Sequence, residues 1–259
     1  VAIDNEDAGQ DDEPEHYWYY FQANGKALKQ GDSDKVSLKT VNGKKYAFDD
    51  EGKMLYGWVD ENSAERIDNT DGDAFKEATY YFGGEDDGAM TTGWLLMDIT
   101  YDEATSDYEI APAFNEDEDQ SRWFYFKSNG KRAEDEKITY KGKTYFFDSE
   151  GEMLTGWVQK SGDGWDEAST ADVKGTETYY CDETGVRLEN SWVYDYAPDV
   201  DQDDINSDDD EHWYYLKSSG KVANGKQSNV KGQGFVFGNK DDNFGQMLTN
   251  WVGGTKDGD

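Results

Sequence analysis

Few side chains in this sequence suit covalent or proton-transfer chemistry. Its two histidines, His16 and His212, each sit just ahead of an aromatic segment, which suggests an edge or structural role before that of a general base. Carboxylates abound, with 58 Asp and Glu among 259 residues. Two carboxylates flanking a bond can cleave a glycoside, but at this density pairs arise by chance and single out no residue. Cys181 stands where its sibling segment carries Phe82, so it is expected to be a small core side chain. No catalytic residue is assigned, and the chain is not expected to be an enzyme. Two acidic segments have oxygen donors of the kind that bind calcium. Asp199, Asp201 and Asp203 have the alternate spacing that opens a calcium loop, yet Asp204 stands where Gly is needed and no Glu closes it. Asn69, Asp71, Gly72 and Asp73 form a second oxygen-rich turn. Acidic loops are usually only solvated, so calcium is the sole cofactor considered and is not required by the sequence. What remains is an unusual stock of rings: nine Trp, 18 Tyr and 12 Phe.

Those rings recur in a fixed order. One phrase is Trp18-Tyr19-Tyr20-Phe21 followed by Asn24-Gly25-Lys26, with copies at Trp123-Phe124-Tyr125-Phe126 and Trp213-Tyr214-Tyr215-Leu216. A second phrase runs from Gly43 through Tyr46 and Phe48 to Met54 and Gly57-Trp58-Val59. Its copies lead to Gly156-Trp157-Val158 and to Trp251-Val252. A third phrase, Thr79-Tyr80-Tyr81-Phe82 leading to Gly93-Trp94, returns as Thr178-Tyr179-Tyr180-Cys181 leading to Trp192. The order is first, second, third, twice over, then first and second. This predicts about eight β-hairpins in a single repeat array over 1–259, with rounds near 16–97, 121–195 and 211–259. Four alternating ring-rich residues suit a pleated strand, and the Asn, Asp and Gly that follow supply turn chemistry. No segment has a helical apolar stripe with caps. The fold class is all-β, a hairpin solenoid with little or no helix.

Laying the copies over one another separates two faces. In each four-residue strand, positions two and four are apolar or aromatic in every copy, which marks them as core by the period of two. Positions one and three vary, from Lys45 to Thr79 to Trp123, so that face is surface or site. Between hairpins lie acidic stretches, 4–15, 98–119 and 195–211, expected to be surface loops.

Composition sets the partners. A formal charge of −33 excludes nucleic acid, whose binding depends on Lys and Arg neutralising phosphates. No apolar run reaches membrane-spanning length. The chain starts at Val1, so an export signal is expected to have been removed, and one cysteine allows no internal disulfide.

The phrase Trp-Tyr-Tyr-Phe, then a Gly-Lys-Met turn, then Gly-Trp resembles the choline-binding and related cell-wall-binding repeats, including glucan-binding repeats. The resemblance covers most of the chain outside the acidic stretches. It implies stacked hairpins that hold choline, or a surface sugar, between the closing Trp of one hairpin and rings of the next. Ring faces attract a quaternary ammonium that cannot donate hydrogen bonds. Carried over residue by residue, the resemblance implies two full cages: Trp94 with Trp123 and Tyr125, and Trp192 with Trp213 and Tyr215. Lesser cages join Trp58 to Tyr81 and Trp157 to Tyr180, where position one is only Thr. The implied partner is teichoic-acid choline or a surface polysaccharide, and the implied setting is the surface of a Gram-positive cell, as part of a larger exported protein. The alternative is a structural spacer or adhesin stalk whose rings only hold repeats together.

Overall fold

A computed structural model describes residues 1–10, 13–70, 72–99, 120–168, 177–198, 200, 211–240 and 242–249. The described residues form eight small antiparallel sheets, six of two strands and two of three. Their one helical element is the 3-10 turn Ala74–Lys76. The all-β hairpin repeat expected from the sequence is thus the fold. The chain divides into two compact units, 1–134 with 150–152, and 135–149 with 153–259.

Each repeat begins with a tight turn whose Gly takes a positive φ. Gly25, Gly52, Gly130, Gly185 and Gly220 all do so, closed by bonds such as Lys127 N to Lys131 O at 2.8 Å. Bridges then join position four to the residue after the turn: Phe48 to Met54, Phe126 to Arg132, Cys181 to Arg187 and Leu216 to Val222. Neighbouring hairpins are stitched by one recurring bond. The N–H of that residue after the turn donates to the carbonyl at position one of the preceding hairpin. Met54 reaches Trp18, Met90 reaches Lys45 and Arg132 reaches Thr79, each at 2.8 Å; in the second unit Arg187 reaches Thr144 at 2.9 Å and Met247 reaches Trp213 at 2.7 Å. The repeat in the sequence is therefore a repeat in hydrogen bonding.

Packing follows the expected faces at position four. Phe48, Phe82, Phe126, Phe147, Cys181, Leu216 and Phe237 are all at most 2% exposed, whereas Phe21 in the first hairpin is 46% exposed. The second-phrase hairpins of the first two rounds depart from the alternation. There position three, Ala47 and Phe146, is wholly buried, while Tyr46 and Tyr145 are half-buried. The reason is local: Ala47 packs with Leu55, Val59 and Tyr80, and Phe146 packs with Leu154, Val158 and Trp165.

The sequence reading also lacked extra strands. In the second-phrase repeats a preceding strand pairs with the phrase itself: Lys39–Val41 with Lys44–Tyr46, Lys137–Tyr140 with Lys143–Phe146, and Gly225–Val230 with Gln233–Phe237. Their two-residue turns place both Asn42 and Gly43, Lys141 and Gly142, or Lys231 and Gly232 at positive φ. That is the primed geometry whose twist matches a hairpin. Lys tolerates it less readily than Asn, which hid two of the three turns from a composition-based reading.

Candidate functional site

The four closing tryptophans among the described residues each meet a partner in one register. Trp58 lies opposite Tyr81, Trp94 opposite Tyr125, Trp157 opposite Tyr180 and Trp192 opposite Tyr215. The pairing strands are Trp58–Asp60 with Tyr80–Tyr81, Gly93–Ile99 with Gln120–Phe126, Gly156–Ser161 with Thr178–Cys181, and Ser191–Asp195 with His212–Leu216. The ring centroids lie 4.9, 5.0, 5.0 and 5.1 Å apart in the same order. Antiparallel partners put side chains on the same face, so a strand pair alone builds two walls of a cage.

At the two junctions that lead into a first-phrase hairpin, a third ring stands at position one. Trp123 meets Trp94 edge-on at 6.2 Å and 86°, and Trp213 meets Trp192 at the same distance and angle. These outer tryptophans form exposed lips. Trp123 is 41% exposed opposite Leu96, and Trp213 is 43% exposed opposite Tyr194. Trp94 and Trp192 behind them are half-buried.

A further wall was not foreseen. Trp58 also packs on Phe124 at 5.3 Å, Trp157 on Tyr214 at 4.8 Å, and Trp192 on Phe235 at 4.9 Å. In each case the added ring is position two of the hairpin after next. In the sequence that position reads as core, and its distance along the chain gives no sign that it faces a particular Trp. Met247 joins Trp192 and Phe235 around the last of these clusters.

The four junctions differ in what covers them. After Val59 and Val158 the chain folds back as a third strand, Glu65–Arg66 or Gly164–Glu167, pairing along the outer side of the closing strand. Ile67 N then donates to Trp58 O at 2.8 Å, and Ala168 N to Trp157 O at 2.9 Å. In the first unit the 3-10 turn brings Ala74, Phe75 and Ala78 against Trp58, which is left 3% exposed. The guanidinium of Arg122 lies 5.3 Å over the Phe75 ring and pairs with Glu152, both buried. In the second unit Ala168 packs on Trp157, whose indole N–H donates to Tyr196 O at 3.0 Å, leaving Trp157 8% exposed. The phenol of Tyr180 donates to Asp195 at 2.6 Å; burial first, and that bond second, push its pKa well up. The rings at Trp58 and Trp157 are therefore roofed by the chain itself.

Asp199, Asp201, Asp203 and Asp71 lie outside the described residues, as do Trp251 and Val252. Asp73 opens the 3-10 turn, its carbonyl accepting from Lys76 N at 3.0 Å. No group of three His, Cys, Asp or Glu converges as metal ligands among the described residues. His16 bonds Asp86 at 3.1 Å on the surface, and Cys181 is buried in the core.

The described architecture is one of stacked aromatic hairpins with Trp-lined junctions. The sequence family described as "Putative cell wall binding repeat" matches residues 118–131, 138–153 and 208–222. The chain is 27% identical over 254 residues to glucosyltransferase-S of Streptococcus mutans, spanning 85% of this chain and 15% of the enzyme. It is 28% identical over 108 residues to a "Putative endo-beta-N-acetylglucosaminidase" of Streptococcus pneumoniae, spanning 41% of this chain and 12% of that protein. Among solved structures, the modular autolysin LytC from Streptococcus pneumoniae aligns over 92% of this chain and 39% of its own, at 20% identity and a TM-score of 0.50. That likeness is one of fold. The chain thus spans a small part of the relatives it matches. No helix of the described residues is long and apolar enough to cross a membrane.

Proposed function

We propose that the chain is a non-catalytic binding module that takes a choline-type cation at two hairpin junctions. One is Trp192, Tyr215 and Phe235 with Trp213 as its lip; the other is Trp94 and Tyr125 with Trp123 as its lip. The observation that carries this reading is a contrast in cover. At one shared register, Trp58 and Trp157 are 3% and 8% exposed beneath the chain's own insertions, while Trp94 and Trp192 stay half-buried behind an exposed Trp. A quaternary ammonium gains about 0.5–2 kcal/mol from each ring face it meets, more as water is excluded. The field of a chain with formal charge −33 favours a cation further. Choline on teichoic acid is the natural form of that ligand at a cell wall, and a surface polysaccharide stacking on the same rings is the second reading. The repeats would act as one array across 1–259, as the binding part of a larger exported surface protein, with any catalysis carried by other segments. The buried junctions at Trp58 and Trp157 have the structural role that a spacer would give to all four.

Choline is expected to change the tryptophan fluorescence of the chain saturably. Replacing Trp192→Ala should weaken that response about tenfold, the equivalent of one ring contact of about 1.4 kcal/mol. Tetramethylammonium should compete and ammonium should not. A flat titration with choline would overturn the reading.

A further inference from the structure

We infer a second binding site, for a neutral oligosaccharide, in the cleft between the first two hairpins. First-phrase hairpins end without a closing Trp, so the ring that seals the other junctions is missing there. In the first round the connection is also longer: 18 residues separate Gly25 from Gly43, against 12 from Gly130 to Gly142 and 12 from Gly220 to Gly232. The added length arches over 29–38 and walls a cleft of about 830 Å³, the size of a small-ligand site. The arch is tied at several points. Gln30 N donates to Asp49 O at 3.0 Å, Val36 N to Glu61 O at 2.8 Å, and the Gln30 side chain to Ser33 O at 2.8 Å.

The lining selects the ligand class. Met54, Leu55 and Tyr56 form an apolar floor, Asp34 and Asp50 offer acceptors, and Asn62 offers an amide. Two aromatic rings are present, but each already carries a cation of the chain: Lys53 Nζ lies 4.3 Å from the Tyr17 centroid, and the Arg66 guanidinium 4.6 Å from that of Tyr56. A quaternary ammonium would have to displace them, so this is not another choline cage. Six carboxylates against two basic groups line the cleft, which repels an anion. Sugar hydroxyls donate and accept at once, and match a lining that holds the donors Lys53, Arg66 and Asn62 together with carboxylates. The site is separate from the tryptophan junctions, and its ligand does not depend on theirs.

The test is titration of the chain with isomaltotetraose and with chitotetraose, by calorimetry and by NMR shift mapping, with and without saturating choline. One tetrasaccharide is expected to bind, to shift signals of residues 30–34 and 62–66, and to be indifferent to choline and to Trp192→Ala. Arg66→Ala should weaken it at least about tenfold. Because Arg66 also packs on Tyr56, the exposed Asp34→Ala variant serves as a second probe, with far-UV circular dichroism as the folding control. Binding of neither sugar, competition by choline, or full affinity in both variants would overturn the inference. A chain that binds the sugar but not choline would sink the cage reading and leave this one standing.

Discussion

Burial within the third strand of the second unit pushes Glu167 up to about 7, with Asp166 and Asp148 adding like-charge repulsion. In the unfolded chain the same carboxyl titrates near 4.5. Between those values the folded state holds a proton that the unfolded state has released, so stability falls as pH rises through this window. Below it the carboxyl is neutral in both states and the cost disappears. Glu167→Gln is therefore expected to raise Tm at pH 8 by about 2 °C or more and to leave it unchanged at pH 4, as calorimetry would show. A lower Tm at pH 8 would contradict burial as the cause. Residue pairs also change their chemistry between rounds while keeping their places. The residue before Trp18, Tyr17, holds Lys53 by cation–π contact; the residue before Trp123, Arg122, pairs with Glu152. Either partner alone looks like an unremarkable surface residue in the sequence, because the contact joins hairpins some thirty residues apart.

At the scale of the element, the turn glycine and the residue it meets are one device. A Cβ on Gly130 would overlap Met90, one on Gly185 would overlap Met153, and one on Gly220 would come 2.8 Å from Arg187 Nε. Gly25, in the first hairpin, has the same positive φ of 78° with nothing within 4 Å. Alanine at either position bears the left-handed backbone cost of about 1–2 kcal/mol, but at Gly130 it also overpacks, which adds about 1–3 kcal/mol. Urea denaturation should therefore find Gly130→Ala clearly more destabilising than Gly25→Ala. Equal losses would mean that the turn backbone, not the seat, is the constraint. The Gly and Met spacing was plain in the sequence as a motif. Its physical meaning was not, since the Met fills the turn of the following hairpin and not its own.

For the whole chain the dominant quantity is charge. With 58 acidic residues against 25 basic ones, self-repulsion opposes compaction. The screening length shortens from about 10 Å at 0.1 M salt to about 3 Å at 1 M. Sodium chloride is therefore expected to raise Tm by several degrees across that range, read by near-UV circular dichroism. A Tm that falls with salt would show instead that the scattered ion pairs, such as Lys44 with Asp87 at 3.5 Å, outweigh the net field.

The sequence by itself determined the hairpin, the turn, the core position four and the partner of each closing Trp. The first three follow from a period of two and from a repeat whose copies can be compared within one chain; the partner of each closing Trp was implied by the resemblance to known repeats. It did not determine which tryptophans stay open. That depends on the third strands Glu65–Arg66 and Gly164–Glu167 and on apolar residues that follow them, Ala74, Phe75 and Ala78 in the first unit and Ala168 in the second. Nor did it reveal the added wall of Phe124, Tyr214 or Phe235, which reads as core because it is core for its own hairpin. Cover is a long-range property: it depends on where an insertion lands, and only the tertiary packing of hairpin on hairpin decides that.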